Sequence, residues 1–253
     1  MRKLLLPLLA IVLFITCKKH DPEAKIQVCH HDQKEGTSHT ITISAKELPV
    51  HLAHGDLPGA CPIVTTNICD QTWMVKNLDV DHYRNGDPIP QVTDAVAWAT
   101  ATTGAWCYYN NDPANGAIYG KLYNGYAVND PRGLAPEGWH IPTNSEWETL
   151  TACLGGQPLA GGKLKEIGTT HWIEPNIEAT NETGFTALPG GLRIDNGGFV
   201  ELRVTGEFWS TTKTDQFSIP NINIIRYLQN YNGYLLFSGT PDNFGNSVRC
   251  VKD

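Results

Sequence analysis

The sequence predicts a loop-rich body of many short strands and few helices, preceded by a small cysteine-bounded module. Three observations predict it. From about Asn67 onward apolar runs are short and turn pairs recur, at Asn85-Gly86, Asn196-Gly197 and Asn232-Gly233, which punctuates short strands with turns and long loops. Helical periodicity is confined to a few brief stretches. Before Asn67, five of the nine histidines fall between Cys29 and Cys61. With 41% hydrophobic and 18% charged residues, the 253-residue chain is globular in composition and long enough for one large domain and an appendage.

The N-terminus, "MRKLLLPLLAIVLFITC", sets Arg2 and Lys3 before an apolar run from Leu4 to Ile15 that is short for a bilayer span. This is the pattern of a signal peptide over residues 1–16. "FITC" resembles a bacterial lipobox, in which the cysteine, here Cys17, is acylated and becomes the new N-terminus, with residues 17–25 as a lipidated tether. Phe14 and Thr16 depart from the usual lipobox residues, so an ordinary secretory cut, with Cys17 buried or disulfide-bonded, is the alternative. Acyl chains would attach the protein to a membrane without spanning it, each buried methylene contributing roughly 0.8 kcal/mol. No later apolar run reaches the ~20 residues of a membrane helix. The expected location is the cell envelope, as an outer-membrane lipoprotein facing the periplasm or the cell surface. A formal net charge of −7, more acidic once Arg2 and Lys3 are removed, argues against a nucleic-acid partner. Six cysteines remain beyond Cys17, an even number in an oxidising compartment, which implies up to three disulfides.

Residues 26–66 form the histidine-rich module. "TITIS", Thr40 to Ser44, alternates like a strand, and Ser44 with Glu47 makes a capping box opening a single helical turn that Pro49 limits. Two readings stand. His51 and His54, spaced i, i+3 on that turn, share a zinc ion with His30 or His31. Alternatively Cys29 and Cys61, near in sequence, oxidise to a staple worth roughly 3–4 kcal/mol, and the histidines do no coordination. The second is preferred, because a segment this small needs the staple and the compartment oxidises thiols.

In the main domain, residues 67–253, the clearest helix is "HIPTNSEWETLTACLGG": Thr143 and Glu146 form a capping box, Trp147, Leu150, Cys153 and Leu154 share a core-facing side, and Gly155-Gly156 stop it. "LAGGKLKEIG" is a second helix weakened by Gly161 and Gly162, and "TDAVAW" a third opening at Thr93. "IIRYLQNYNGYLLF" reads as a hairpin around Asn232-Gly233 with Arg226, Gln229 and Asn230 on one side. Its aromatics have two readings, core packing or stacking on a bound sugar, which makes Tyr231, Tyr234 and Arg226 the candidate ligand-binding residues.

The runs "QTWMVKNLDVDHYRNGDPIP", "WCYYNNDPANGAIYGKLYNGYAVNDPRGLAPEGWHIPTNSEWETL", "GGKLKEIGTTHW", "NETGFTALPGG" and "NSVRCVKD", in this order, closely resemble the Fibrobacter succinogenes major paralogous domain. That family is similar to C-type lectin-like folds, which include the formylglycine-generating enzyme. The resemblance implies an α+β domain: two helices on a small twisted sheet, with long loops on one side. It also implies a Cys107–Cys250 disulfide, since "WCYY" and "VRCV" would lie on adjacent strands, and with it Cys69–Cys153. The oxidase chemistry of that enzyme is not expected, because no cysteine stands between Leu235 and Val248. Calcium-dependent lectins carry Glu-Pro-Asn, matched by Glu174, Pro175 and Asn176, but their downstream Trp-Asn-Asp strand is missing, so calcium, like zinc, is a minor reading and no cofactor is expected. Loops 193–206 and 230–245, rich in Asn, Gly and Tyr, suit adaptable polar contact.

Other chemistry leaves no trace: no nucleophile elbow, phosphate loop or zinc-protease helix. Glu146 with Glu148 and Asp79 with Asp81 fit a cap and exposed strand positions better than paired glycosidase carboxylates. The expectation is a non-catalytic envelope protein binding an extracellular glycan or protein, with a glycan-processing enzyme or a metal-binding surface protein as alternatives.

Overall fold

A computed structural model describes residues 24–32, 37–217 and 219–253. The signal segment, Cys17 and most of the tether lie outside these. The chain divides into two compact units between Pro62 and Ile63. Among the described residues no helix is long and apolar enough to cross a membrane.

In the first unit, β1 (Lys25–Asp32) and β2 (Thr37–Ser44) pair antiparallel, Val28 opposite Ile41 and Cys29 opposite Thr40. Among the described residues of this unit Val28, Cys29, Ile43 and Ala45 are the buried apolar ones, a thin core. Ser44 closes the strand, its N–H donating to Glu47 Oε2 at 2.8 Å, and a short 3₁₀ turn leads into α1 (Leu48–Ala53). Pro49 does not limit this turn, as expected above, but sits in the first turn of α1, where its missing N–H costs no hydrogen bond. The chain returns through β3 (Leu57–Pro58), which pairs with β1, Leu57 opposite Cys29, and so brings Cys61 to a disulfide with Cys29 across a Cα–Cα distance of 4.4 Å.

The second unit is mixed α and β, mostly sheet. It opens with a hairpin of β4 (Thr65–Ile68) and β5 (Gln71–Met74). There follow α2 (Ala95–Ala99), β6 (Trp106–Cys107), α3 (Pro113–Tyr119), β7 (Leu122–Asn124), α4 (Gly125–Val128) and β8 (Trp139–His140). The two longest helices of this unit come next, α5 (Asn144–Cys153) and α6 (Gln157–Leu164). The remaining strands are β9 (Leu192–Arg193), β10 (Phe199–Val200), β11 (Thr205–Thr214), β12 (Ile222–Gln229), β13 (Leu236–Thr240), β14 (Gly245–Asn246) and β15 (Val251–Lys252). They form three sheets, ordered β10-β9-β14-β7-β6, β11-β12-β13 and β4-β5-β15-β8. The C-terminal strand thus enters between elements from the start and middle of the domain, Val251 facing both Trp73 and His140.

The tryptophans explain how such short strands cohere: all seven are buried. Trp73, Trp147, Phe185 and Phe208 pack with ring centroids 4.7–6.1 Å apart under α5, Trp73 and Trp147 being the closest pair. The cap of α5 is as read: Thr143 Oγ1 accepts from Glu146 N and the Glu146 carboxylate accepts from Thr143 N. Two readings need correction. Helix α2 is capped by Asp94, whose side chain accepts from Ala97 N, not by Thr93. Cys153 does not face the core; it is exposed, and its disulfide with Cys69 joins the β4–β5 turn to the end of α5 at the surface.

The Cys107–Cys250 disulfide is absent: both thiols are free and buried. Strand alternation gives the reason. Trp106 faces the cluster that holds Cys250, so its neighbour Cys107 faces the opposite way, into a separate cluster with Trp98, Tyr109 and Leu122.

Loop-rich backbone leaves carbonyls without ladder partners, and buried cations satisfy them. Lys165 Nζ donates to Ile177 O, Gln229 O and Asn232 O at 2.8–3.0 Å. Arg193 donates to Val92 O, Thr93 O and Gly197 O, and Arg249 to Met74 O and Phe185 O, both guanidinium groups fully buried against aromatic rings.

Candidate functional sites

Two arrangements deserve the name, one in each unit. In the first unit, β1 supplies His30, α1 supplies His51, the residue capping its C-terminus is His54, one turn on, and the tight turn that follows supplies Asp56. The Asp56 N–H donates to His51 O at 3.1 Å, which folds the carboxyl back over the helix end. Asp56 Oδ2 lies 2.7 Å from both His30 Nδ1 and His51 Nδ1, and Oδ1 lies 3.7 Å from His54 Nδ1 and accepts from His31 N at 2.9 Å. The three imidazole centroids are 5.2–5.8 Å apart. Burial alone would raise the carboxyl of Asp56, whose side chain is 0% exposed, but hydrogen bonds from His30, the His31 amide and His51 outweigh it and hold the group ionised well below the usual range. Donor atoms of His30, His54 and Asp56 all lie within 4.8 Å of one another.

The structure therefore gathers the three histidines named from sequence and separates His30 from His31, as strand alternation demands. Asp56 was missed. Its signal was an aspartate two residues beyond an i, i+3 histidine pair, behind the turn-forming Gly55.

In the second unit the β12–β13 hairpin carries Tyr231, Tyr234 and Phe237, exposed by 54%, 45% and 47%. Among the described residues these are the only exposed Phe, Tyr or Trp side chains. The loop beneath them is held from outside: Gly233 O accepts from Gly162 N, Asn232 O from Lys165 Nζ, and Leu235 N donates to Gln157 O. Gly161 and Gly162, which weaken α6 by propensity, make this approach possible, since a Cβ on Gly161 would collide with the Tyr234 carbonyl. Tyr231 and Tyr234 stand where the sequence placed them, but Arg226 and Asn230 do not offer themselves to a ligand. Arg226 is buried under Phe237 and donates to Asn144 Oδ1, and Asn230 Nδ2 donates to Glu174 O.

The remaining candidates have structural occupations. Asn176 is buried and donates to Glu166 O and Gly168 O, so the Glu-Pro-Asn run turns its amide inward, away from any calcium ion at the surface. Glu146 caps α5 and pairs with His140, Glu148 accepts from Asn144, and Asp79 pairs with Lys121. A cleft of about 260 Å³ lies between α4 and the end of β11, and its two carboxylates, Asp130 and Asp242, are paired with Arg132 and Lys213. The Arg132 guanidinium holds the Asp130 carboxyl down at about 2, the opposite of what a general acid needs.

No curated protein and no solved structure matches this chain. The model of one family, described as the Fibrobacter succinogenes major domain, matches residues 66–252. The match spans every strand and helix of the second unit but the first residue of β4, and with the motifs in order the chain belongs to the Fibrobacter succinogenes major domain family.

Proposed function

We propose that the protein is a cell-envelope lipoprotein, attached through acylated Cys17, whose C-terminal domain has a C-type lectin-like fold and binds an extracellular glycan or protein without catalysis. One observation carries this reading: in a domain that buries every tryptophan, Tyr231 and Tyr234 stand exposed on a loop that α6 fixes from behind, with Phe237 exposed beside them on β13. Aromatic side chains on a rigid backbone bring large contact area at little entropic cost, and tyrosine also offers a hydroxyl to a polar ligand. The signal-like N-terminus and the oxidised cysteine pairs support the location.

Glycan and protein arrays probed with the soluble chain beginning at Lys18, with and without calcium, test it. The expected result is a hit that is independent of calcium and lost when Tyr231, Tyr234 and Phe237 are changed together to serine. A hit that survives the triple substitution places the binding site elsewhere, and turnover of an arrayed glycan replaces binding with catalysis.

A further inference from the structure

We infer that His30, His54 and Asp56 form a binding site for one zinc-like divalent transition-metal ion, with His51 positioning the Asp56 carboxylate. Among its described residues the first unit buries few side chains, yet one of them is a carboxylate ringed by three imidazoles. A buried charge is costly unless it is paired, and a module with so thin a core gains more from valine or leucine there unless the charge has a use.

The geometry fits a cation. Two ligands about 2.1 Å from a tetrahedral zinc ion lie about 3.4 Å apart. The nitrogen–oxygen separations here, 2.7 Å from His30 Nδ1 to Asp56 Oδ2 and 3.7 Å from His54 Nδ1 to Asp56 Oδ1, bracket that value, and one donor atom from each of the three residues lies within 4.8 Å of the other two. His51, at 2.7 Å from the oxygen that also faces His30, then plays the part of an outer-shell partner, holding the carboxylate in place. Imidazole nitrogens with a single carboxylate suit zinc, copper, nickel or cobalt and not calcium or magnesium, which want oxygen. The backbone is already fixed for the task. The Cys29–Cys61 disulfide and the β1–β3 pairing hold His30 beside the turn that bears Asp56, so oxidised cysteines and a metal site coexist, and the staple does not exclude the metal. His54 and His30 keep 40% and 27% of their side chains exposed, which leaves the ion an entry path and a position for water.

The test uses tag-free chain stripped with chelator and dialysed against zinc chloride, with bound metal counted by elemental analysis and cobalt(II) used as a spectroscopic probe of tetrahedral ligation. Wild type is expected to bind one zinc that His54→Ala weakens at least ~30-fold and His51→Ala roughly tenfold, the range for loss of an outer-shell partner. Non-reducing peptide mapping verifies the Cys29–Cys61 bond in each variant, and His54→Gln, at the most exposed of the three rings, serves if another variant misfolds. Equal zinc binding by wild type and His30→Ala/His54→Ala, or no bound zinc in wild type, overturns the proposal.

Discussion

Replacing Lys165 by methionine tests the claim that buried cations hold the loops of this domain together. Lys165 is fully buried, and its ammonium donates to three carbonyls, of Ile177, Gln229 and Asn232. Methionine keeps the side-chain volume and orphans all three acceptors. At about 1–3 kcal/mol for each unpaired buried group, the loss is on the order of 3–9 kcal/mol. Against this stands relief from burying a charge. Burial pulls the ammonium down to about 8, and a shift of that size from the unfolded value returns roughly 3 kcal/mol. The net expectation is a destabilisation on the order of 3 kcal/mol, read as a lowered midpoint in urea unfolding at pH 7 with an unchanged slope. The pH dependence has a definite sign. Between about 8 and the unfolded value near 10.4 the unfolded chain binds the extra proton, so wild-type stability gains with rising pH while the methionine variant does not, and the gap widens. A methionine variant more stable than wild type would refute the reasoning, because the three orphaned carbonyls would then cost less than the roughly 3 kcal/mol that removing the buried charge returns.

Three other outcomes are expected. Burial alone would lower His140, but hydrogen bonds to Glu146 and Asp253 outweigh it and raise the imidazole, while the same pairing helps lower Glu146. A raised histidine stabilises below its unfolded value and loses that as pH rises through the folded one; a lowered glutamate stabilises above its unfolded value and loses it in acid. The stability difference between wild type and His140→Gln should therefore peak between about pH 4.3 and 6.5 and shrink by pH 8.5, as thermal unfolding across buffers will show. Gly161→Ala, whose added methyl group would press on the Tyr234 carbonyl, should cost about 1–3 kcal/mol in denaturant unfolding and loosen amide-exchange protection in the 230–235 loop. Alkylation without reductant should label Cys107 and Cys250 only after denaturation, and leave Cys29, Cys61, Cys69 and Cys153 unlabelled, because burial pushes both free thiols up to about 12 and shields them.

Local chemistry was legible in this sequence and long-range packing was not. The α5 cap could be read because Thr143 and Glu146 sit three apart and need nothing else. The hairpin turns at Asn85-Gly86 and Asn196-Gly197 could be read for the same reason, and both fall between the paired residues His82 and Pro88, and Arg193 and Phe199. Cys107 with Cys250 failed because it depends on which face of β6 looks toward which core, and two-residue strands carry too little alternation to tell. Arg226 failed differently: in a strand pattern an arginine reads as surface, but here its guanidinium reaches Asn144 at the start of α5. The histidine site was half legible. The i, i+3 spacing announced His51 and His54, while the strand pairing that brings His30 to Asp56 is a contact across 26 residues.

These cases share a cause that bears on function. A fold of short strands cannot satisfy its backbone by ladders alone, so it recruits Lys165, Arg193 and Arg249 as interior donors to loop carbonyls. Each such donor acts at a distance from the loop it secures. Lys165 stands just beyond α6, yet it anchors the turn that presents Tyr231 and Tyr234. The backbone of that turn is thus held by residues outside it, while Tyr231 and Tyr234 stand exposed. Separating support from display in this way lets the exposed positions suit a ligand while the scaffold stays the same, which is what a binding surface built on loops requires.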